Sequence, residues 1–296
     1  MRSIRSWWAL VFREFIEHRI PFFYFPLGIL ALFTLSSGSG IALNRVHVGN
    51  GFQFGNGLKL FELGYVLLLA LWLAYTGIAL FFYFGDAFSA DRRNNAMLFW
   101  KSMPVGDLKI MGSKFLAGVT FLPFIILVIG MVSGVIFLIL LNVASLSAPV
   151  VPVPNPVQAL LSFANISLFA LVYYFMAMLW YAPFLAWVAG LSTVFGRWSL
   201  PLAFAIPGVL IAMENMVAFA QIPRGGYIWG YLSHRWQFGL SDTQWTFMVA
   251  APIPFDVRTY SWLLFQQINW TSMISGIVFA IVVTWLASEY RRRRIA

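Results

Sequence analysis

Six stretches of this chain run for about twenty residues or more with scarcely a charge, enough in each case to cross a bilayer as a helix. They cover about Ile20–Leu43, Phe61–Phe84, Gly112–Leu141, Ala159–Leu191, Leu200–Ala220 and Asn269–Ser288. Such runs are far longer than the tilted strands of a membrane barrel, which need only about ten residues. A soluble core cannot absorb them either. Apolar residues make up 61% of the chain and charged ones 10%, against about 25% charged in an ordinary soluble domain. The expectation is an all-α integral membrane protein with six transmembrane helices, forming a single domain over residues 1–296. No cysteine is present, which excludes disulfides and thiolate metal sites.

The net charge of +9 would suggest nucleic acid in a soluble protein. Here its distribution reports orientation. With both termini inside, fourteen basic residues lie on the inner side: Arg2, Arg5, Arg13, Arg19, Arg92, Arg93, Lys101, Lys109, Lys114, Arg197 and Arg291 to Arg294. Five lie outside: Arg45, Lys59, Arg224, Arg235 and Arg258, completing the 19. This is the asymmetry of a chain with both ends in the cytoplasm, and it needs no nucleic-acid partner. The terminal arginines also draw the chain toward anionic membrane lipid.

Between the runs the chain is specialised. Residues 1–19 place Trp8, Val11, Phe12, Phe15 and Ile16 on one helical face and Arg13, Glu14 and Glu17 on the other, the pattern of an interfacial helix. Pro21 suits a helix start, while Pro26 and Pro123 predict bends. Pro149, Pro152, Pro154 and Pro156 read as a stiff outer connection that cannot continue a helix. A short inner loop is expected over 192–199. Residues 221–268 are too polar to span and too apolar to be disordered. Trp229–Phe238 and Trp245–Met248 read as short helices dipping into the outer interface, where irregular backbone must be buried in protein or wetted.

Residues 85–111 form the most charged internal loop. Inside it, Asn95 to Met103 is a short amphipathic piece with Met97, Trp100 and Met103 at near-helical spacing. It is too short to be stable alone and needs a membrane surface or a protein partner. The order Asp91-Arg92, a short helix, Ser102-Met103-Pro104-Val105, then Lys114 opening an apolar run resembles the cytoplasmic loop of ABC-2 type permeases, the membrane subunits of ATP-driven exporters. The layout of amphipathic start, six spans and long outer segment before the last span resembles that family too. The resemblance implies that 85–111 is a coupling loop docking on a separate ABC-type ATPase through Asp91, Arg92, Arg93, Met97, Trp100, Met103 and Pro104. It implies that 1–19 is an elbow helix and that 221–268 holds re-entrant helices, as in ABCG-type exporters. It further implies a homodimer or a pair with a paralogous permease, and a bacterial inner membrane.

No G-x-x-x-x-G-K-[ST] loop occurs, so ATP and Mg are expected on the partner ATPase, with no cofactor bound by this chain and no catalytic activity of its own. The histidines His18, His47 and His234 fall in three separate segments, and no H-E-x-x-H motif exists, so no metal site is expected. Within the runs, Glu214 with its neighbour Asn215 is the translocation-path candidate, because a carboxylate at that depth is costly unless it faces a cavity or a partner. The competing reading is a structural link from Glu214 to the outer segment. Asn165, Thr76, Ser133 and Thr193 read as helix glue. Two functions stay in front: the exporter that the resemblance implies, moving a drug, peptide, lipid or other amphiphile, and a non-transporting scaffold that recruits a soluble partner through 85–111; a secondary transporter is disfavoured by the scarcity of carboxylates within the runs and the missing internal repeat.

Overall fold

The computed structural model describes residues 2–43, 56–90, 106–147, 152–217, 226–241, 244–245 and 253–294. Every regular element among them is a helix. Among the described residues, five runs are long and apolar enough to cross a membrane: Ile20–Ala42, Gly57–Ala87, Asp107–Ser147, Pro156–Val217 and Trp270–Arg294. This is a helical membrane protein. The coupling piece expected at Asn95–Met103, with Asp91, Arg92, Arg93, Met97, Trp100, Met103 and Pro104, lies outside the described residues, as does Met248.

The helices are α1 (Arg2–Glu17), α2 (Phe25–Ala42), α3 (Gly57–Ala87), α4 (Asp107–Leu116), α5 (Leu122–Ser147), α6 (Pro156–Phe195), α7 (Ser199–Val217), α8 (Gly226–Trp236), α9 (Val257–Gln267) and α10 (Trp270–Arg294). The fourth run, 62 residues long, would measure about 93 Å if straight, some three bilayers. It is a hairpin instead. A 3-10 turn, Gly196–Trp198, separates α6 from α7, with Gly196 at φ +55° where a β-carbon is disfavoured. The Trp187 indole N–H then donates to Ala203 O at 3.4 Å, sixteen residues on, which requires the chain to have reversed. The loop expected over 192–199 is therefore mostly helix, and the turn is only three residues.

Prolines account for the other departures from expectation. Pro156 begins α6 rather than blocking it, since a proline in the first turn lacks only an N–H that has no helical partner anyway. Asn155 Oδ1 caps that end, accepting from Val157 N at 3.0 Å. Pro26 and Pro123 each follow, by two residues, a five-residue π-helical turn, Ile20–Tyr24 and Ala117–Phe121. The wider turn absorbs the ring that would strike the carbonyl four residues back. The expected bends take this form.

Helix α6 is the hub and touches α3, α5, α7, α9 and α10. Rings of α3 pack into the room left by glycines across from it, Tyr65 over Gly134 of α5 and Phe84 over Gly118 of the π-helical turn before it. This is how helices associate in lipid, where apolar burial alone gives no drive. The core forms two layers. One centres on Phe22, Phe84, Met111 and Leu185; the other on Phe61, Tyr65, Phe169 and Leu264. Helix α9, which the sequence did not separate within the outer segment 221–268, belongs to the second layer through Tyr260 and Leu264.

Candidate functional site

Polar side chains inside this bundle collect at two places, one at the arginine-rich end and one at the other. The first is built on α1. Val11 and Glu14, one turn apart, face the bundle, while Trp8, Phe12 and Ile16 are exposed. The periodicity put Glu14 on the outward polar face; the structure turns it inward because Lys114 lies opposite. Glu14 is 3% exposed and Lys114 2%. Lys114 Nζ sits 3.7 Å from Glu14 Oε1 and donates to Ala87 O at 2.9 Å. The Tyr83 hydroxyl lies 3.1 Å from Glu14 Oε2 and 3.0 Å from Lys114 O, so one proton serves two acceptors. The His18 ring closes the cluster, with Nδ1 3.0 Å from Glu14 O and the ring edge-on to Tyr83. Burial pushes the Glu14 carboxyl above its ordinary range, and the Lys114 ammonium draws it back.

These contacts clamp the feet of the 91–105 segment. On its near side, α3 ends at Ala87, whose carbonyl Lys114 holds, and Ser199 Oγ donates to Gly85 O at 2.7 Å. On its far side, Asp107 meets the buried Arg291 of α10 at 3.2 Å. Lys109 donates to Ser6 of α1 and lies over the Trp7 ring. Since α1 pairs Ser6 with Lys109 and Glu14 with Lys114, α1 and α4 run side by side in the same sense. Glu14, Glu17 and His18 bring one donor atom each within 4.8 Å of one another. Lys114 and Arg13 already engage the two carboxylates, so the cluster reads as an ion-pair clamp rather than a metal centre.

The second place is the opposite end. Glu62, 5% exposed, receives Lys59 Nζ at 2.7 Å, Ser162 Oγ at 2.6 Å and Phe255 N at 2.9 Å. Asn165 Nδ2 donates to Phe255 O at 3.2 Å. One carboxylate therefore joins α3, α6 and the chain entering α9. The sequence analysis gave Glu62 no role; a carboxylate just inside an apolar run was the available signal. Of the other residues read as glue, Ser133 accepts from the Trp72 indole at 3.2 Å, while Thr76 and Thr193 bond carbonyls of their own helices.

Helix α8 is held at both ends by side chains. Glu214 of α7 caps its start, accepting from Tyr227 N at 2.8 Å and Ile228 N at 3.0 Å. A carboxylate there satisfies free N–H groups and the positive helix end. Asn215 Nδ2 donates to Ile211 O. Both Glu214 oxygens are thus engaged in the link to the outer segment that the sequence weighed against a path role. At the other end, α6 supplies three donors: Trp180 Nε1 to Arg235 O at 2.7 Å, Tyr181 OH to Trp236 O at 2.8 Å and Tyr173 OH to Phe238 O at 3.1 Å. Arg235, 1% exposed, donates to Ser272 O and Trp180 O and stacks 4.6 Å from the Trp180 ring. These caps allow a short helix to end beside the bundle without stranded backbone groups. Arg235 entered the sequence reading only as one of five outer charges.

No family model matches the chain, and no curated protein or solved structure matches it either.

Proposed function

We propose that this chain is the membrane permease of an ATP-driven exporter, moving an amphiphilic or apolar substrate by alternating access while a separate ABC-type ATPase supplies ATP hydrolysis. The observation that carries the proposal is the clamp around the feet of 91–105. Asp107–Arg291, Lys109–Ser6 and Lys114–Glu14 tie that segment's surroundings to α10 and α1. A partner pressing on 91–105 therefore acts on α3, α4, α10 and α1 together, as a coupling element must. With α7 counted as a crossing of its own, the spans number six, α1 takes the place of an elbow helix and α8 that of a re-entrant helix. Both termini then lie in the cytoplasm and the membrane is the bacterial inner one. One such bundle forms half of a transporter, so a second copy or a paralogous permease completes it.

Purification from native membranes in mild detergent tests this reading. A stoichiometric ABC-type ATPase should co-purify and should be lost from Met97→Asp/Trp100→Asp while the protein keeps its melting temperature. Some other soluble protein held by 91–105, with no ATPase, replaces the exporter with the scaffold.

A further inference from the structure

We infer that the side of the bundle formed by α8 and α9 holds a water-filled vestibule, and that Arg235 at its floor receives an anionic group such as the sulfonate, carboxylate or phosphate head of an amphiphile. The inference goes beyond the exporter reading and does not depend on it, since its test needs neither transport nor an ATPase. The last crossing is α9 and α10 laid end to end. Both pack along α6. Tyr260 meets Phe169, Gly276 lies against Pro183, and Val283 against Gly190. The 23 residues from Tyr260 to Val283 therefore keep pace with the 21 from Phe169 to Gly190, which leaves room only for a short break. The break is Ile268–Asn269. Ile268 is extended, with ψ 122°, and Asn269 Oδ1 caps α10 by accepting from Ser272 N at 3.0 Å. It sits at middle depth. Trp180 is 18 residues, about 27 Å, from Ser162 in the Glu62 clamp. Ser272, which shares Arg235 with Trp180, is 19 residues, about 28 Å, from Arg291 in the clamp at the other end.

The two halves of this crossing face different surroundings. On the arginine-rich side of the break, α10 turns Ile274, Val278, Ile281 and Val282 outward, as a helix in lipid does. On the other side, the outward face of α9 carries Arg258, Thr259 and Gln266 around Trp262, all exposed. Helix α8 leads to His234 and Gln237, also exposed. At the same level α6 exposes Leu168, Leu171 and Phe175. Depth alone does not account for the polarity: one side meets lipid and the other water. Arg235, 1% exposed, lies level with the break. Its two Nη atoms donate to Ser272 O and Trp180 O. Its Nε has no hydrogen-bond partner, and no carboxylate pairs with it among the described residues. A buried guanidinium at this depth is costly without a counter-charge, and an anion entering from the polar side supplies one.

The chain has no cysteine, so each introduced thiol is unique. Gln266→Cys probes the vestibule, and Phe175→Cys probes the lipid side at the same level; both positions are exposed. Methanethiosulfonate reagents attack the hydrated thiolate, and their reaction with the full-length protein in lipid nanodiscs is followed by mass. Gln266→Cys should react more than about tenfold faster than Phe175→Cys. At Gln266→Cys the anionic sulfonatoethyl reagent should outpace the cationic trimethylammonioethyl reagent, relative to their rates with free cysteine. Arg235→Gln should lower that preference on the order of tenfold at low salt, since Arg235 is roughly 10 Å away, and Arg235→Lys should keep it. If Arg235→Gln does not fold, position decides: the preference at Gln266→Cys must exceed that at Trp262→Cys, one turn farther from Arg235. Equal rates at Gln266→Cys and Phe175→Cys overturn the vestibule. A preference absent from the parent, unchanged in Arg235→Gln or larger at Trp262→Cys overturns the anion site.

Discussion

Replacing Lys114 by methionine should undock α1. The two charges are 3.7 Å apart and nearly free of solvent contact. Their mutual attraction at an effective dielectric of about 20 is roughly 4.5 kcal/mol, most of it offset by desolvation that both groups have already undergone. Removing one partner is a different matter. Glu14 would remain buried without its ammonium partner, left to the Tyr83 hydroxyl and the His18 ring 3.9 Å away, and breaking a buried pair this way costs about 3–5 kcal/mol. At the lower figure the undocked population rises about a hundredfold, since 1.36 kcal/mol is a factor of ten. Val11 faces the bundle from the same side of α1 and is 9% exposed. Val11→Cys is then the only thiol in the chain, and its maleimide labelling rate reports the open fraction. Lys114→Met should speed labelling about a hundredfold. Glu14→Gln/Lys114→Met should recover most of the loss, because a glutamine oxygen still accepts from Tyr83 and no charge is stranded. A rate within threefold of the parent in Lys114→Met, or a double variant as fast as the single one, refutes the argument that the pair holds α1.

Gly276→Ala should lower the melting temperature, because its β-carbon would lie 1.8 Å from Arg235 Nη2; overpacking of this kind costs about 1–3 kcal/mol. Gly28→Ala, with nothing within 4 Å, should leave the melting temperature unchanged. Glu62→Ala strands the buried Phe255 N–H and should cost about 3 kcal/mol, read as faster labelling of Tyr260→Cys, a residue 9% exposed, while Glu62→Gln should lose less. Asp256 caps α9 through Thr259 N, Thr259 Oγ1 and Arg258 N, and those bonds hold its carboxyl below the ordinary value of 3.8. Its contribution, about 1 kcal/mol, is therefore complete above pH ~4 and is lost as pH falls through the depressed value. Asp256→Ala should remove that acid-side slope in a melting series.

Length and hydropathy carried the fold class, because a run of twenty apolar residues has one stable form in lipid. The long apolar runs were legible for the same reason, although six were expected and five long apolar helices are found among the described residues. Their ends were not. Pro156 has opposite meanings in the first turn and the interior of a helix, and nothing local says which applies. The turn at Gly196–Trp198 falls inside the loop expected over 192–199, but its shortness was not legible because α6 stays apolar through Phe195. Amphipathicity placed α1 correctly as a helix and misassigned Glu14, since periodicity sees a carboxylate as polar and cannot see a lysine a hundred residues away. Glu62 and Arg235 were overlooked as functional positions for the same reason. Each engages backbone groups of distant elements, Phe255 N for one and Ser272 O and Trp180 O for the other, and such partners leave no mark in composition.

The two polar clamps say what holds this bundle together. In lipid, helices have little hydrophobic reason to stay together, so close packing over glycine and buried polar contacts must hold them. Here the polar contacts sit at the ends: Glu14–Lys114 and Asp107–Arg291 at one, Glu62 and the α8 caps at the other. They bind α1, α3, α4, α6, α9 and α10 into one body, with α6 as its axis. A load applied near 91–105 would be carried through that body with little internal yielding, because each clamp is buried and costly to break.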